Sequence, residues 1–158
     1  MNSLFKVSAK NHAGMILMSI LAEQESRPTS HQPSPRLRSA GVPRPTSDEV
    51  FVSLKDVAGE MGLSMKFLEE IAAALKMAGL IEGRKGPGGG YRLAREAKSI
   101  SVYEILVALE GPIAGMSCKG TLCPVADKCT SKSLWGFLHE DLIKSLKQTT
   151  LQKIVNSA

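Results

Sequence analysis

Apolar residues first recur at helical spacing between Ser8 and about Glu23. Ala13, Ile16, Leu17, Ile20 and Leu21 fall on one side of a coil of that period, which predicts an amphipathic helix. The period then stops. Residues 24–49 hold Pro28, Pro33, Pro35, Pro43 and Pro45 among serines, threonines and four arginines, Arg27, Arg36, Arg38 and Arg44. A segment of that kind cannot bury enough apolar surface to order itself, and it reads as a flexible insertion. Its other reading is an arginine-bearing arm that touches phosphate.

Periodicity resumes at Val50. Ser53 is placed to cap a short helix, Leu54 to Met61, with Leu54, Val57, Ala58 and Met61 inward, and Gly62 breaks it. Ser64 is placed to cap a second helix, Met65 to Ala78. Its inward stripe is Phe67, Leu68, Ile71, Ala72, Leu75 and Ala78, and Gly79 follows its end. Helix, glycine turn and second helix make a helix-turn-helix layout. Leu80 and Ile81 start a strand, Tyr91-Arg92-Leu93 returns, and the glycine-rich turn between them predicts a wing. Ser101 to Leu109 reads as a further helix with Val102, Ile105, Leu106 and Leu109 inward, ended by Gly111-Pro112. Segment 113–130 lacks a period and reads as a loop. A long helix from Ser133 to Thr149 carries the stripe Leu134, Trp135, Leu138, Leu142 and Leu146, and a short one follows from Leu151 to Val155. The expected organisation is a first helix over 1–23, the insertion over 24–49, helix-turn-helix and wing over 50–97, and a loop with a dimerisation helix over 98–158. The fold class expected is mainly α with a small β wing.

Composition narrows the class. A 43% apolar content in 158 residues supports one packed core, and aromatics at 4% leave that core to aliphatic side chains, which favours helices. Net charge of +5 fits an anionic partner. The longest apolar run, Met15 to Ala22, is interrupted by Ser19 and too short to span a bilayer, and no secretory signal pattern opens the chain. The three cysteines are an odd, clustered set, which argues against a disulfide framework and for a reducing, cytoplasmic setting.

Two motifs carry chemistry. The turn Arg84-Lys85-Gly86-Pro87-Gly88-Gly89-Gly90-Tyr91 matches neither a dinucleotide fingerprint nor a P-loop. Its glycines suit close approach of a backbone to a ligand such as DNA, with Arg84, Lys85 and Arg92 supplying charge; the plainer reading is a hairpin with a basic tip. The early exposed positions of the second helix, Ser64, Lys66, Glu69 and Glu70, are where a major-groove helix meets bases and phosphates, and a glutamate accepts from the cytosine amino group; the plainer reading is a solvated face, which is the one taken for Glu70. The candidate DNA-facing set is Ser53, Ser64, Lys66, Phe67, Glu69, Arg84, Lys85, Gly86 and Tyr91. The second motif is Cys118-x4-Cys123-x5-Cys129. Three buried free thiols, a zinc site and an iron–sulfur cluster are its possible readings. The spacing lacks the paired knuckles common in structural zinc sites, and wide, loop-borne thiolates suit a cluster, of two or four irons.

Taken together, Val52-Ser53-Leu54-Lys55-Asp56-Val57-Ala58, Gly62-Leu63-Ser64, Leu75-x3-Gly79-Leu80, Gly86 to Ala94, Glu110-Gly111-Pro112, the three cysteines, Leu134-Trp135 and Thr150-Leu151 resemble the IscR/NsrR-type family of bacterial regulators. The resemblance covers nearly the whole chain except residues 24–49. It implies a homodimer that binds partly palindromic double-stranded promoter DNA and carries an iron–sulfur cluster on Cys118, Cys123 and Cys129 of each subunit. It implies no enzymatic activity, no small-molecule substrate and no membrane partner. The chain departs from the family in its short first cysteine gap, in the insertion, and at Lys132, where one branch places a histidine ligand. Another branch takes an acidic ligand from the first helix of the partner, and the roughly equivalent residue here is His12, which makes it the expected fourth ligand. A zinc- or thiol-based redox regulator on the same fold is the rival reading. No paired carboxylates, activated serine or nucleotide loop supports an enzyme.

Overall fold

The computed structural model describes residues 8–26, 50–113 and 129–157. The expected insertion therefore lies almost wholly outside the described residues, as do Cys118 and Cys123.

Helix α1 runs Ala9–Ser26, three residues further than its apolar pattern extends. The Ser8 hydroxyl accepts from the Asn11 N–H at 3.1 Å and so starts it. Its buried row is Ala13, Leu17, Met18, Leu21 and Ala22, while Ile16 and Ile20 are only half-buried. The row is shifted from the predicted stripe, with Met18 and Ala22 buried where Ile16 and Ile20 were expected. Gly14 lies so close to the next-but-two helix that a Cβ there would meet Leu109 Cδ1 at 2.4 Å.

Helices α2 (Leu54–Met61) and α3 (Met65–Met77) form the predicted pair. Both predicted serine caps are made: the Ser53 hydroxyl accepts from Lys55 N–H at 3.2 Å and the Ser64 hydroxyl from Phe67 N–H at 3.3 Å. Gly62 ends α2 at φ 63°, a left-handed conformation that glycine adopts without strain. In α3, Leu68, Ile71, Ala72 and Leu75 are buried. Ala78 is exposed, because the helix ends one residue before it and the chain turns away at Gly79, φ 68°.

Strands β1 (Ile81–Arg84) and β2 (Gly90–Leu93) pair antiparallel, Ile81 opposite Leu93 and Arg84 opposite Gly90. Val52 bridges to the other edge of β2, since its N–H donates to Tyr91 O at 2.9 Å and its C=O accepts from Tyr91 N–H at 2.8 Å. After a short 3-10 turn, Ala97–Ser99, helix α4 spans Val102–Glu110 and opens on a reciprocal cap between Ser101 and Glu104. Leu106, expected inward, is half-buried.

Helix α5 spans Thr130–Gln148 and begins three residues earlier than its leucine pattern. Helix α6, Leu151–Val155, ends the fold. Leu151 is fully buried, and its N–H donates to Ile100 O at 2.8 Å while Val102 N–H donates to Thr149 O at 2.9 Å. One core unites α1, α2, α3, α4, the hairpin and α6. The architecture is a winged helix-turn-helix, mostly helical with a two-stranded antiparallel sheet. No described helix is long and apolar enough to cross a membrane.

Candidate nucleic-acid interface and cysteine segment

The outward face of α3 carries Lys66, Glu69 and Glu70, all exposed, with Ser64 at its start. Three of these were expected to meet DNA, and the helix presents them together. Phe67 is different: it is half-buried and packs on the core, so its ring belongs partly to the scaffold. The hydroxyls of Ser53 and Ser64 accept cap bonds, yet each keeps its O–H to donate outward.

The wing is built by alternation along its strands. Ile81, Leu93 and Tyr91 turn toward the core, and the Tyr91 ring covers Gly83, where a Cβ would lie 3.0 Å from Tyr91 Cε1. Tyr91 is thus a half-buried packing residue. The opposite face of the hairpin carries Glu82, Arg84 and Arg92. Lys85 and Gly86 form the exposed turn, with Gly86 at φ 101° and Gly88 at φ 73°. Two glycines of the run have a role internal to the chain. A Cβ on Gly89 would lie 2.2 Å from Arg84 O, and one on Gly90 would lie 2.3 Å from Val52 O. The close approach inferred from the glycine run is therefore made, at these two positions, by the protein's own backbone.

Pattern reading missed Phe51. Its ring sits under two guanidinium groups, Arg84 at 4.5 Å and Arg92 at 5.2 Å from the ring centre. Arg92 also forms an ion pair with Glu82, and Arg84 donates to Gly88 O at 3.2 Å. The only local signal was an isolated aromatic just ahead of the helix pair.

Cys129 is half-buried at the N-cap of α5, and its side chain makes no capping bond. The positive end of the helix dipole faces this position, which favours a ligand set carrying negative charge. His12 is exposed on the first turn of α1. Among the described residues no group of three or more histidine, cysteine or carboxylate side chains gathers as a metal site. At the other end of α5, Lys147 stands 4.9 Å over the Tyr103 ring of α4.

Comparison with known proteins places these features. Residues 45–157 match the family model described as Rrf2, iron-dependent transcriptional regulator. The HTH-type transcriptional regulator IscR of Klebsiella pneumoniae (strain 342) is 36% identical over 107 residues, 67% of this chain and 66% of that protein. The chain thus spans slightly under two thirds of the length of this curated relative. Among solved structures, CymR (YrzC), the global cysteine regulator of B. subtilis, is 26% identical with a TM-score of 0.72, covering 98% of this chain and 99% of that one. T. potens IscR is 29% identical with a TM-score of 0.66, covering 98% of this chain and 88% of that one.

Proposed function

Because this chain belongs to the Rrf2 family of iron-dependent transcriptional regulators, we propose that it is a homodimeric reader of promoter DNA whose affinity follows the state of an iron–sulfur cluster. The observation that carries the reading is the path of α5. Cys129 is its N-cap and Thr149 its C-cap, and Thr149 with Leu151, the first residue of α6, is hydrogen-bonded to Ile100 and Val102 at the junction between the wing and α4. A change at the cysteine end therefore acts on a helix whose other end is fastened beside the DNA-reading unit.

The donor set fits such a group. Thiolates are the usual ligands of iron–sulfur clusters, and Cys129 supplies one at a half-buried helix start. Cys118, Cys123 and Cys129 would hold the cluster. His12, exposed on α1, would complete it from the partner subunit. Bound there, the cluster supplies a redox- and iron-sensitive tether among these side chains. DNA would be met by Lys66 and Glu69 on α3 and by Lys85 on the wing, with the Ser53 and Ser64 hydroxyls on phosphates.

The test is anaerobic purification with iron and acid-labile sulfide assays, followed by DNA binding of holo and apo forms. Iron and sulfide in near-equal amounts, lost in Cys129→Ala, together with a difference between the two forms in DNA affinity, support the reading. Stoichiometric zinc without iron or sulfide overturns it. That outcome would favour a thiol- or zinc-based regulator, a reading supported by the similarity to CymR, whose described role is cysteine regulation.

A further inference from the structure

The wing of this chain carries an aromatic shelf that no DNA-facing role yet explains. Val52 is hydrogen-bonded to Tyr91 through both its N–H and its C=O, so the segment around it lies beside β2 as a strand. Val52 packs on the core. Its neighbour Phe51 must then face the other way, by the two-residue alternation of extended chain. The same alternation turns Glu82, Arg84 and Arg92 to that outer face, and the strand register sets Glu82 directly opposite Arg92. Across from Arg84 stands Gly90, which contributes no side chain, so the ring reaches the guanidinium.

The two arginines on this ring differ in charge balance. Arg92 is paired with Glu82, which offsets its charge. Among the described residues Arg84 has no carboxylate partner; it stacks on Phe51 at 4.5 Å and spends one donor on Gly88 O at 3.2 Å. A guanidinium has five donors in a planar fork. Arg84 is thus held on one face and along one edge, with the rest of its fork exposed beside the basic turn. A long side chain that is free must lose rotamer freedom on binding, whereas one held in place has already lost it.

We propose that Phe51 is a positioning residue that pre-orders Arg84 to grip a DNA phosphate next to the wing. The proposal rests on the DNA-binding reading above and adds a residue outside the helix-turn-helix and wing motifs. The ligand is a backbone phosphate of duplex DNA, so the contact is indifferent to base sequence.

The experiment measures binding of the full chain to mixed-sequence double-stranded DNA as a function of salt, for wild type, Phe51→Leu, Phe51→Tyr, Arg84→Ala, Arg84→Lys and the Phe51→Leu/Arg84→Ala double variant. Arg84→Ala should lower the salt slope by about one unit. Phe51→Leu should weaken binding about two- to fivefold, the value of an exposed cation–π contact. Phe51→Tyr should restore it. In the Arg84→Ala background Phe51→Leu should have no further effect, and Arg84→Lys, which keeps charge but not the planar stack, should resemble Phe51→Leu. A merely structural ring would give additive losses in the double variant. Additive losses, or Phe51→Leu or Arg84→Lys binding as wild type does, overturn the proposal while leaving the DNA-binding reading intact. If Phe51→Leu does not fold, the Arg84→Lys comparison decides alone. Wild-type protein that binds no duplex at low salt overturns both.

Discussion

At the scale of single residues, the glycine run separates two jobs that look identical in sequence. Gly86 and Gly88 supply positive φ at the turn, while Gly89 makes room for Arg84 O and Gly90 for Val52 O. We predict that Gly89→Ala destabilises the fold by about 1–3 kcal/mol, in the range of substitutions that force backbone apart. Urea denaturation checks it; an unchanged midpoint would mean that the turn rearranges freely. Residue-scale legibility followed the same division. The caps at Ser53 and Ser64 were visible because a hydroxyl before an apolar period has one local use, whereas Ser101, read as the first residue of its helix, is the cap of α4. Phe51 was invisible because its partners, Arg84 and Arg92, reach it only after the hairpin folds. Tyr91 and Phe67 were read as DNA-facing from the motifs around them, and both also give part of their surface to the core.

At the scale of elements, α4 and α5 offer contrasting cases. Helix α4 opens on a closed loop of bonds: Glu104 N–H donates to Ser101 Oγ at 3.2 Å, and Glu104 Oε2 accepts from Ser101 N–H at 2.9 Å. Arg95 donates to the other carboxylate oxygen at 2.9 Å. Partial burial pushes the Glu104 carboxyl upward, but the Ser101 backbone bond, with those from Arg95 and the Ser101 hydroxyl, outweighs it and holds the group below its ordinary value. A lowered folded-state pKa means stability that is present above the ordinary carboxylate value and is lost as pH falls through the folded one. We therefore expect wild type to lose stability relative to Glu104→Gln over that acidic window, in urea midpoints read against pH. Ser101→Ala should cost about 0.5–2 kcal/mol at neutral pH.

Helix α5 has the opposite character. Leu134, Phe137 and Leu138 are 53%, 61% and 39% exposed, and among its described side chains none is fully buried. Its leucine period was legible, but its start was not, because Cys129 provides no side-chain cap to mark it. If this face is the dimer interface, Phe137→Asp will yield a monomer in sedimentation. Its stability as a single chain should stay within about 0.5 kcal/mol of wild type, since the residue is exposed there. A dimer that survives the change would move the interface elsewhere.

At the scale of the whole molecule, the fold is closed by its ends. Helix α1 packs against α6 as well as α4, and Leu151 is buried in the same core as Leu17 and Leu21. This closure could not be read from pattern, because α6 is five residues long, too short for a period to show which element its apolar residues meet. Removing residues 151–158 should abolish cooperative thermal unfolding, since it deletes a fully buried leucine and the bond to Ile100 together; circular dichroism on the shortened chain checks it. The same closure bears on synthesis. Long-range contacts reward the chain only after their loop has been paid for in entropy, and a chain leaving the ribosome exposes its N-terminal segment first. The α1 row meets α3, β2 and α4 first, and the part that α6 covers must wait until α6 has emerged more than a hundred residues later. A ribosome paused within α5 leaves that part of the row in water, a site for chaperones and proteases that the stability of the finished protein does not remove.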